Sequence, residues 1–303
     1  MISRRRWLLS ATGAGAAATT YGLYRDNHTI PPRDPAAEER FRRLQHALLA
    51  ESGIAAESRF VGLASPPVRA HVLEAGQGEP VLFLHGGNSV AASWTPLLAR
   101  LHRRFRCYAP DRPGCGLTDK FNYPGVDLRS HGVQFVRSVM DVLGLARAAV
   151  AGNSMGGYFA LVFDLAHPER VSKLVFFERM LVADVRRASA GYLDCMAAAA
   201  VIPGAKASWI TMIEQAFAPA GAGLLSGAST LTYALRPELG QLATPTLFLW
   251  GDKDTFGPPA WGQEMARLMP HARCEVIADA GHLPFVDQPE VCARLVESFL
   301  TAA

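Results

Sequence analysis

The sequence predicts an α/β fold: a mostly parallel sheet flanked by helices on both faces, with a helical cap inserted late in the chain. Three observations carry the prediction. Residues 80–84, 148–151, 171–177 and 245–250 are predominantly apolar segments of strand length, as expected of strands covered on both faces. Helix-length segments separate them, the rhythm of βαβ units. From 179 to 239 the strand signals stop, and an alanine-rich, helix-prone stretch broken by Pro203, Pro219 and several glycines takes over. The chain has 303 residues, half of them hydrophobic, which is ample for a core. Its net charge of +3 is weak and sits largely in the N-terminal arginines, so no nucleic-acid partner is expected.

Taken in order, residues 1–24 stand outside the fold. Ser3-Arg4-Arg5-Arg6-Trp7-Leu8-Leu9 precedes a moderately apolar stretch rich in Ala, Gly and Thr, the pattern of a bacterial twin-arginine export signal. Ala16-Ala17-Ala18 and Ala14-Gly15-Ala16 offer small-residue cleavage sites. An uncleaved inner-membrane tether and a basic tail are the competing readings, the first because 7–24 is at the short end of spanning length. Residues 25–57 comprise a polar, proline-containing linker and an amphipathic helix at 36–50, with Phe41, Leu44, Leu48 and Leu49 on one face.

The core follows as 58–178 and 240–303, with the cap at 179–239. Residues 58–63 and 68–74 flank Ser65-Pro66-Pro67 and read as an antiparallel pair. Strands are expected at 80–84, 105–109, 148–151, 171–177, 245–250 and 273–277. Helices are expected at 94–102, 128–143, 158–166, 261–268 and 291–300, with Gly144 ending the second.

In parallel sheets the ligand site lies off the carboxyl ends of the strands. Four loops after strands are distinctive: His85-Gly86-Gly87, Gly152-Asn153-Ser154-Met155-Gly156-Gly157, Gly251-Asp252-Lys253-Asp254 and Gly281-His282. The second is a Gly-x-Ser-x-Gly nucleophile elbow between a strand and a helix, where the serine takes an unfavourable backbone conformation and its neighbours have no room for side chains. The helix N-terminus then faces any oxyanion formed there. A serine, an acid and a histidine at successive strand ends make the coincidence informative.

These four pieces, with Asp111-Arg112-Pro113-Gly114-Cys115-Gly116, make the chain similar to α/β-hydrolases over nearly all of its length after about residue 58. The resemblance implies an eight-stranded-type sheet and a Ser, acid, His order of catalytic residues. It implies Ser154 as nucleophile, His282 as the base that later protonates the leaving group, and Asp254 as the acid that orients the imidazole. Oxyanion donors would be the backbone N–H groups of Met155 and Gly87. The resemblance places the acid at Asp254 rather than Asp252. Glu178, ending the strand after the elbow, is the alternative acid, because certain haloalkane dehalogenases carry theirs there. His85 is expected to tie its loop together, and Asp111 with Arg112 to form a loop-stabilising pair.

Ser154 separates the chain from relatives with an aspartate nucleophile. The elbow string resembles that of hydrolases that cleave carbon–carbon bonds in ring-fission products. Those enzymes usually follow the catalytic histidine with tryptophan, where this chain has Leu283-Pro284-Phe285, and Gly87-Asn88-Ser89-Val90 replaces their glycine- and proline-rich loop. The expected activity is a small-ester carboxylesterase acting on a small molecule without a cofactor. C–C hydrolysis and cofactor-free haloperoxidase or perhydrolase activity are the alternatives, and a complete triad argues against a non-catalytic binding module. Trp209, Met212, Phe217, Leu224, Leu225 and Tyr233 are the residues of the cap that would line a pocket or form the cap's own core.

The other histidines (His28, His46, His71, His102, His131, His167 and His271) show no metal-ligand spacing or carboxylate pattern, so no metal is expected. Cys107, Cys115, Cys195, Cys274 and Cys292 form no C-x-x-C motif; a disulfide is conceivable only through export to an oxidising compartment.

Overall fold

The computed structural model describes residues 29–177, 185–217, 235–254, 258–281 and 283–302. The expected signal at 1–24, Glu178, Leu224, Leu225, Tyr233 and His282 lie outside the described residues, as does the side chain of Phe217.

Eight strands form one sheet: β1 (Ala56–Ala64), β2 (Pro67–Ala75), β3 (Glu79–Leu84), β4 (Phe105–Pro110), β5 (Ala148–Asn153), β6 (Val171–Phe177), β7 (Thr246–Gly251) and β8 (Ala272–Ile277). Their order is β1-β2-β4-β3-β5-β6-β7-β8. β2 runs antiparallel to both neighbours, and all other pairings are parallel.

The central strands β3, β5 and β7 are almost wholly buried because both faces are covered there. Along β3, Val81 and Phe83 join one buried cluster, while Leu82 and Leu84 join the other. β7 divides the same way, with Leu247 and Leu249 on one side and Phe248 on the other. Helices α1 (Pro35–Glu51), α2 (Thr95–Leu101) and α10 (Pro289–Thr301) contribute to the first cluster. Helices α3 (Leu128–Val142), α4 (Met155–Ala166) and α8 (Pro259–Leu268) contribute to the second.

Between β6 and β7 the described residues contain α5 (Ala190–Ala200), α6 (Ala205–Phe217) and the short α7 (Arg236–Leu239). α9 (Pro284–Asp287) is a single turn before α10. α1 starts cleanly, with Asp34 accepting from the N–H groups of Ala36 and Ala37 and a proline in the first turn. It shares a buried cluster with Tyr192, Cys195, Ala198 and Ala199 of α5. Among the described residues, no single helix is long and apolar enough to cross a membrane. All five cysteines are free thiols.

α4 is apolar on nearly every side, and its one acid, Asp164, is fully buried. Thr244 donates to Asp164 Oδ1 at 2.8 Å, and Oδ2 is buried with no hydrogen-bond partner. Burial pushes this carboxyl up to about 6, opposed by the Thr244 hydrogen bond. The unfolded chain ionises it first, so stability falls as pH rises from about 4 to 6 and the loss is complete above that. Asp164→Asn should therefore gain about 2 kcal/mol relative to wild type between pH 4 and pH 7. Urea unfolding of both proteins at the two pH values measures this, and a pH-independent difference would refute it.

Candidate active site

Ser154 stands where β5 stops and α4 begins, at φ 51° and ψ −117°. A serine in that region costs on the order of 1–3 kcal/mol and persists only where packing dictates it. Here the dictating contacts are backbone. A Cβ on Gly156 would sit 2.0 Å from the Leu84 carbonyl oxygen, and one on Gly152 would sit 2.6 Å from that of Gly156. Strand and helix approach too closely for either residue to be anything but glycine. The Ser154 N–H and the Asn153 side-chain amide both donate to the Phe177 carbonyl, at 3.0 and 3.1 Å, tying the elbow to the end of β6.

The first bond inside α4 runs from the Tyr158 N–H to the Ser154 carbonyl at 2.9 Å. The N–H of Met155 precedes it and is not spent within the helix. The register of β3 on β5 pairs Leu84 with Gly152, which brings the loop after β3 beside the elbow. A Cβ on Gly86 would meet Asn153 Oδ1 at 2.5 Å and Ser154 Cβ at 3.4 Å. Gly87 is the next residue, so the two expected oxyanion donors belong to adjoining loops.

The loop after β3 is held from behind by a buried network. His85 Nδ1–H donates to the Gly86 carbonyl at 2.8 Å, and Nε2 accepts from the Arg112 N–H at 2.9 Å. Burial, reinforced by the Arg112 charge, pushes His85 down to about 3, so the ring stays neutral and keeps this tautomer. The fully buried Arg112 guanidinium donates to the carbonyls of His85 (Nε, 2.9 Å) and Gly86 (Nη2, 2.6 Å), and reaches Met212 Sδ of α6 at 3.3 Å.

Asp111 has different partners, which corrects the expected pairing with Arg112. Its carboxylate accepts from His71 Nδ1 (2.8 Å), Ala91 N–H (2.6 Å) and Leu117 N–H (2.9 Å). Burial alone would raise its pKa, but His71 and these donors outweigh it and hold it below the usual carboxylate range. His71 thus has the carboxylate partner that its sequence context does not reveal. Its Nε2 lies 2.9 Å from the Ser58 hydroxyl, which extends the network to β1. Asp111 joins β2, the connection after β3 and the loop after β4 to one another, while Arg112 clamps the carbonyls of His85 and Gly86.

On the far side of the elbow, Asp254 is half-buried just past β7. The loop that carries it is fastened to the one that carries His282. A Cβ on Gly251 would meet the Gly281 carbonyl at 2.0 Å. Asp252 Oδ1 accepts from the Ala280 N–H at 3.1 Å, and the Lys253 N–H donates to the Ala280 carbonyl at 2.8 Å. Asp287 takes the Gly281 N–H at 2.9 Å. Both Lys253 and Arg187 pair with Asp279, which links the segment before α5 to the same loop. Among the described residues, no group of three or more His, Cys, Asp or Glu could hold a metal ion.

A lysine in place of Arg112 offers one ammonium where two carbonyls and a sulfur are now met by a planar fork. Arg112→Lys should cost about 2 kcal/mol in urea unfolding. An unchanged midpoint would mean that the clamp contributes nothing.

Residues 81–295 match the alpha/beta hydrolase family. The chain is 29% identical over 264 residues to a 2-hydroxy-6-oxononadienedioate/2-hydroxy-6-oxononatrienedioate hydrolase of Comamonas testosteroni, covering 77% of this chain and 91% of that protein. It is 27% identical over 255 residues to carboxylesterase YbfK of Bacillus subtilis, covering 77% of this chain and 84% of that protein. The crystal structure of that carboxylesterase has a similar fold, with a TM-score of 0.73 at 22% identity, covering 88% of this chain and 99% of the other. So does a meta-cleavage product hydrolase from Pseudomonas fluorescens, with a TM-score of 0.64 at 24% identity over 80% of this chain and 97% of the other. The match spans the sheet from β3 through most of α10, and on it the chain belongs to the alpha/beta hydrolase family and is an enzyme.

Proposed function

We propose that this hydrolase cleaves a small carboxylic ester through an acyl-enzyme on Ser154. The observation that carries the reading is the strained Ser154 backbone, enforced by two glycines against backbone at the mouth of β5. Strain of this kind is kept where it serves a site. Ser154 Oγ attacks the ester carbonyl while His282 takes its proton. The tetrahedral oxyanion is met by the N–H groups of Met155 and Gly87. His282 then protonates the departing alcohol, and water repeats the sequence on the acyl-enzyme. Asp254 holds the imidazole; Asp252 is exposed and engaged with Ala280, which supports Asp254 over it. No cofactor enters these steps.

A second reading, hydrolysis of a carbon–carbon bond in a ring-fission product, is favoured by the similarity to the Comamonas testosteroni enzyme. Rates on p-nitrophenyl esters of increasing acyl length separate the two. The ester reading expects turnover that falls with chain length and drops about a thousandfold or more in Ser154→Ala and His282→Ala. Asp254→Asn should cost at least about a hundredfold and Glu178→Gln little. Absence of turnover on every ester, with turnover of a ring-fission product, would decide for the second reading. Substantial ester turnover by folded Ser154→Ala would end both.

We also propose that residues 1–24 direct export by the twin-arginine route, with an inner-membrane tether as the alternative. Replacing Arg4, Arg5 and Arg6 by lysine should leave the protein in the cytoplasm on cell fractionation. Unchanged export would refute the signal, and recovery of the wild type in the membrane fraction would favour the tether.

A further inference from the structure

We infer that Trp209 of the cap fixes the size of the group accepted beside the reacting carbonyl. The inference rests on the Ser154 reading above. α6 is fastened to the loop after β4 along one face. Phe121 N–H donates to Ser208 Oγ at 3.2 Å and Tyr123 N–H to Thr211 Oγ1 at 3.4 Å. Arg112 Nη1 reaches Met212 Sδ at 3.3 Å, and Gly125 N–H donates to Gln215 Oε1 at 3.0 Å. Positions 208, 211, 212 and 215 follow the spacing of a single helical stripe. Ser208, Thr211 and Met212 are buried. A helix held at four points along its length is a wall of the site.

Trp209 lies beside that stripe and is aimed at the loop after β3. Its ring rests on Gly87: a Cβ there would be 1.9 Å from Cη2 and 2.0 Å from Cζ3. The space next to this contact, bounded by Asn88, Ser89, Cys115, Ala199 and Ala205 with Trp209, has a volume of about 20 Å³. That is room for about one water molecule and not for an alkyl chain. The ring therefore closes the site at the residue expected to supply an oxyanion donor. Substituents on that side of the carbonyl are limited by the indole carbons.

The test is phosphorylation by dialkyl p-nitrophenyl phosphates, from dimethyl to dibutyl. Ser154 Oγ forms the new bond to phosphorus, the P–O(aryl) bond breaks, p-nitrophenolate leaves with the electron pair, and the serine proton passes to the base. Nitrophenolate release gives the rate, and mass spectrometry of the modified peptide gives the site. Wild type should favour dimethyl over dibutyl. Trp209→Ala should raise the dibutyl to dimethyl rate ratio at least about tenfold, the scale of a few methylenes in a pocket, with Trp209→Phe between.

Gly87→Ala should be slow, because its methyl meets the indole. Gly87 does not have a positive φ, so that clash is its main cost, and Trp209→Ala should restore the rate in the double variant. An unchanged ratio in folded Trp209→Ala and Trp209→Phe, with Ser154 modified, overturns the inference. So does a double variant as slow as Gly87→Ala alone. Failure of wild type to modify Ser154 with any member would instead remove the nucleophile reading, which is a separate outcome.

Discussion

The close approach of β3 and α4 governs the rest of the site. Gly156 lies so near the Leu84 carbonyl that the helix start is fixed against the strand end, and Ser154 has only one place to stand. Everything else is arranged around that contact. The neighbouring pairing of β3 with β5 puts two loops side by side, one carrying the serine and the other Gly87. The β6 terminus then holds the elbow through the Phe177 carbonyl, and β7 and β8 deliver their loops as a fastened unit. The active-site geometry is thus a property of strand order and backbone contact more than of the side chains that would perform the chemistry.

Beneath it runs a layer of buried polar groups that a core of this kind normally avoids. Each is satisfied by geometry that a simple charge pair would not provide. Arg112 spends its charge on carbonyl oxygens and lies 5.6 Å from the Phe159 ring centre, while Asp111 spends its own on a histidine and two backbone N–H groups. The two residues are adjacent in sequence and both hold the connection after β3, through different partners. The neutral His85 completes the arrangement, since a charged ring could not accept from the Arg112 N–H.

The parts of this structure that were readable in the sequence are those whose cause is local. Buried strands announce themselves as predominantly apolar segments, and the demand for glycine at 152 and 156 arises within one turn, so both the sheet and the elbow could be placed. Helix limits were near misses: 128–143 was expected and Leu128–Val142 is found, where Asp127 caps the start. What could not be read depends on distant pairing. His71 meets Asp111 because β2 runs antiparallel to β4, a register that no spacing in the sequence encodes. Asp164 reads as an ordinary helix residue until both faces of the sheet are covered. Trp209 reads as one more apolar residue in a stretch without a clear period, and only the docking of α6 gives it Gly87 as a neighbour. Met212, in the same helix, is buried against Arg112 and joins the second buried cluster.

The position of α1 has a mechanical meaning. Phe41, Leu48 and Leu49 share their burial with α5, so part of the free energy that seats α5 comes from a helix that precedes the whole sheet in the chain. A truncation on the buried face of α1, at Phe41 or Leu48, would therefore loosen α5 as well as α1 itself.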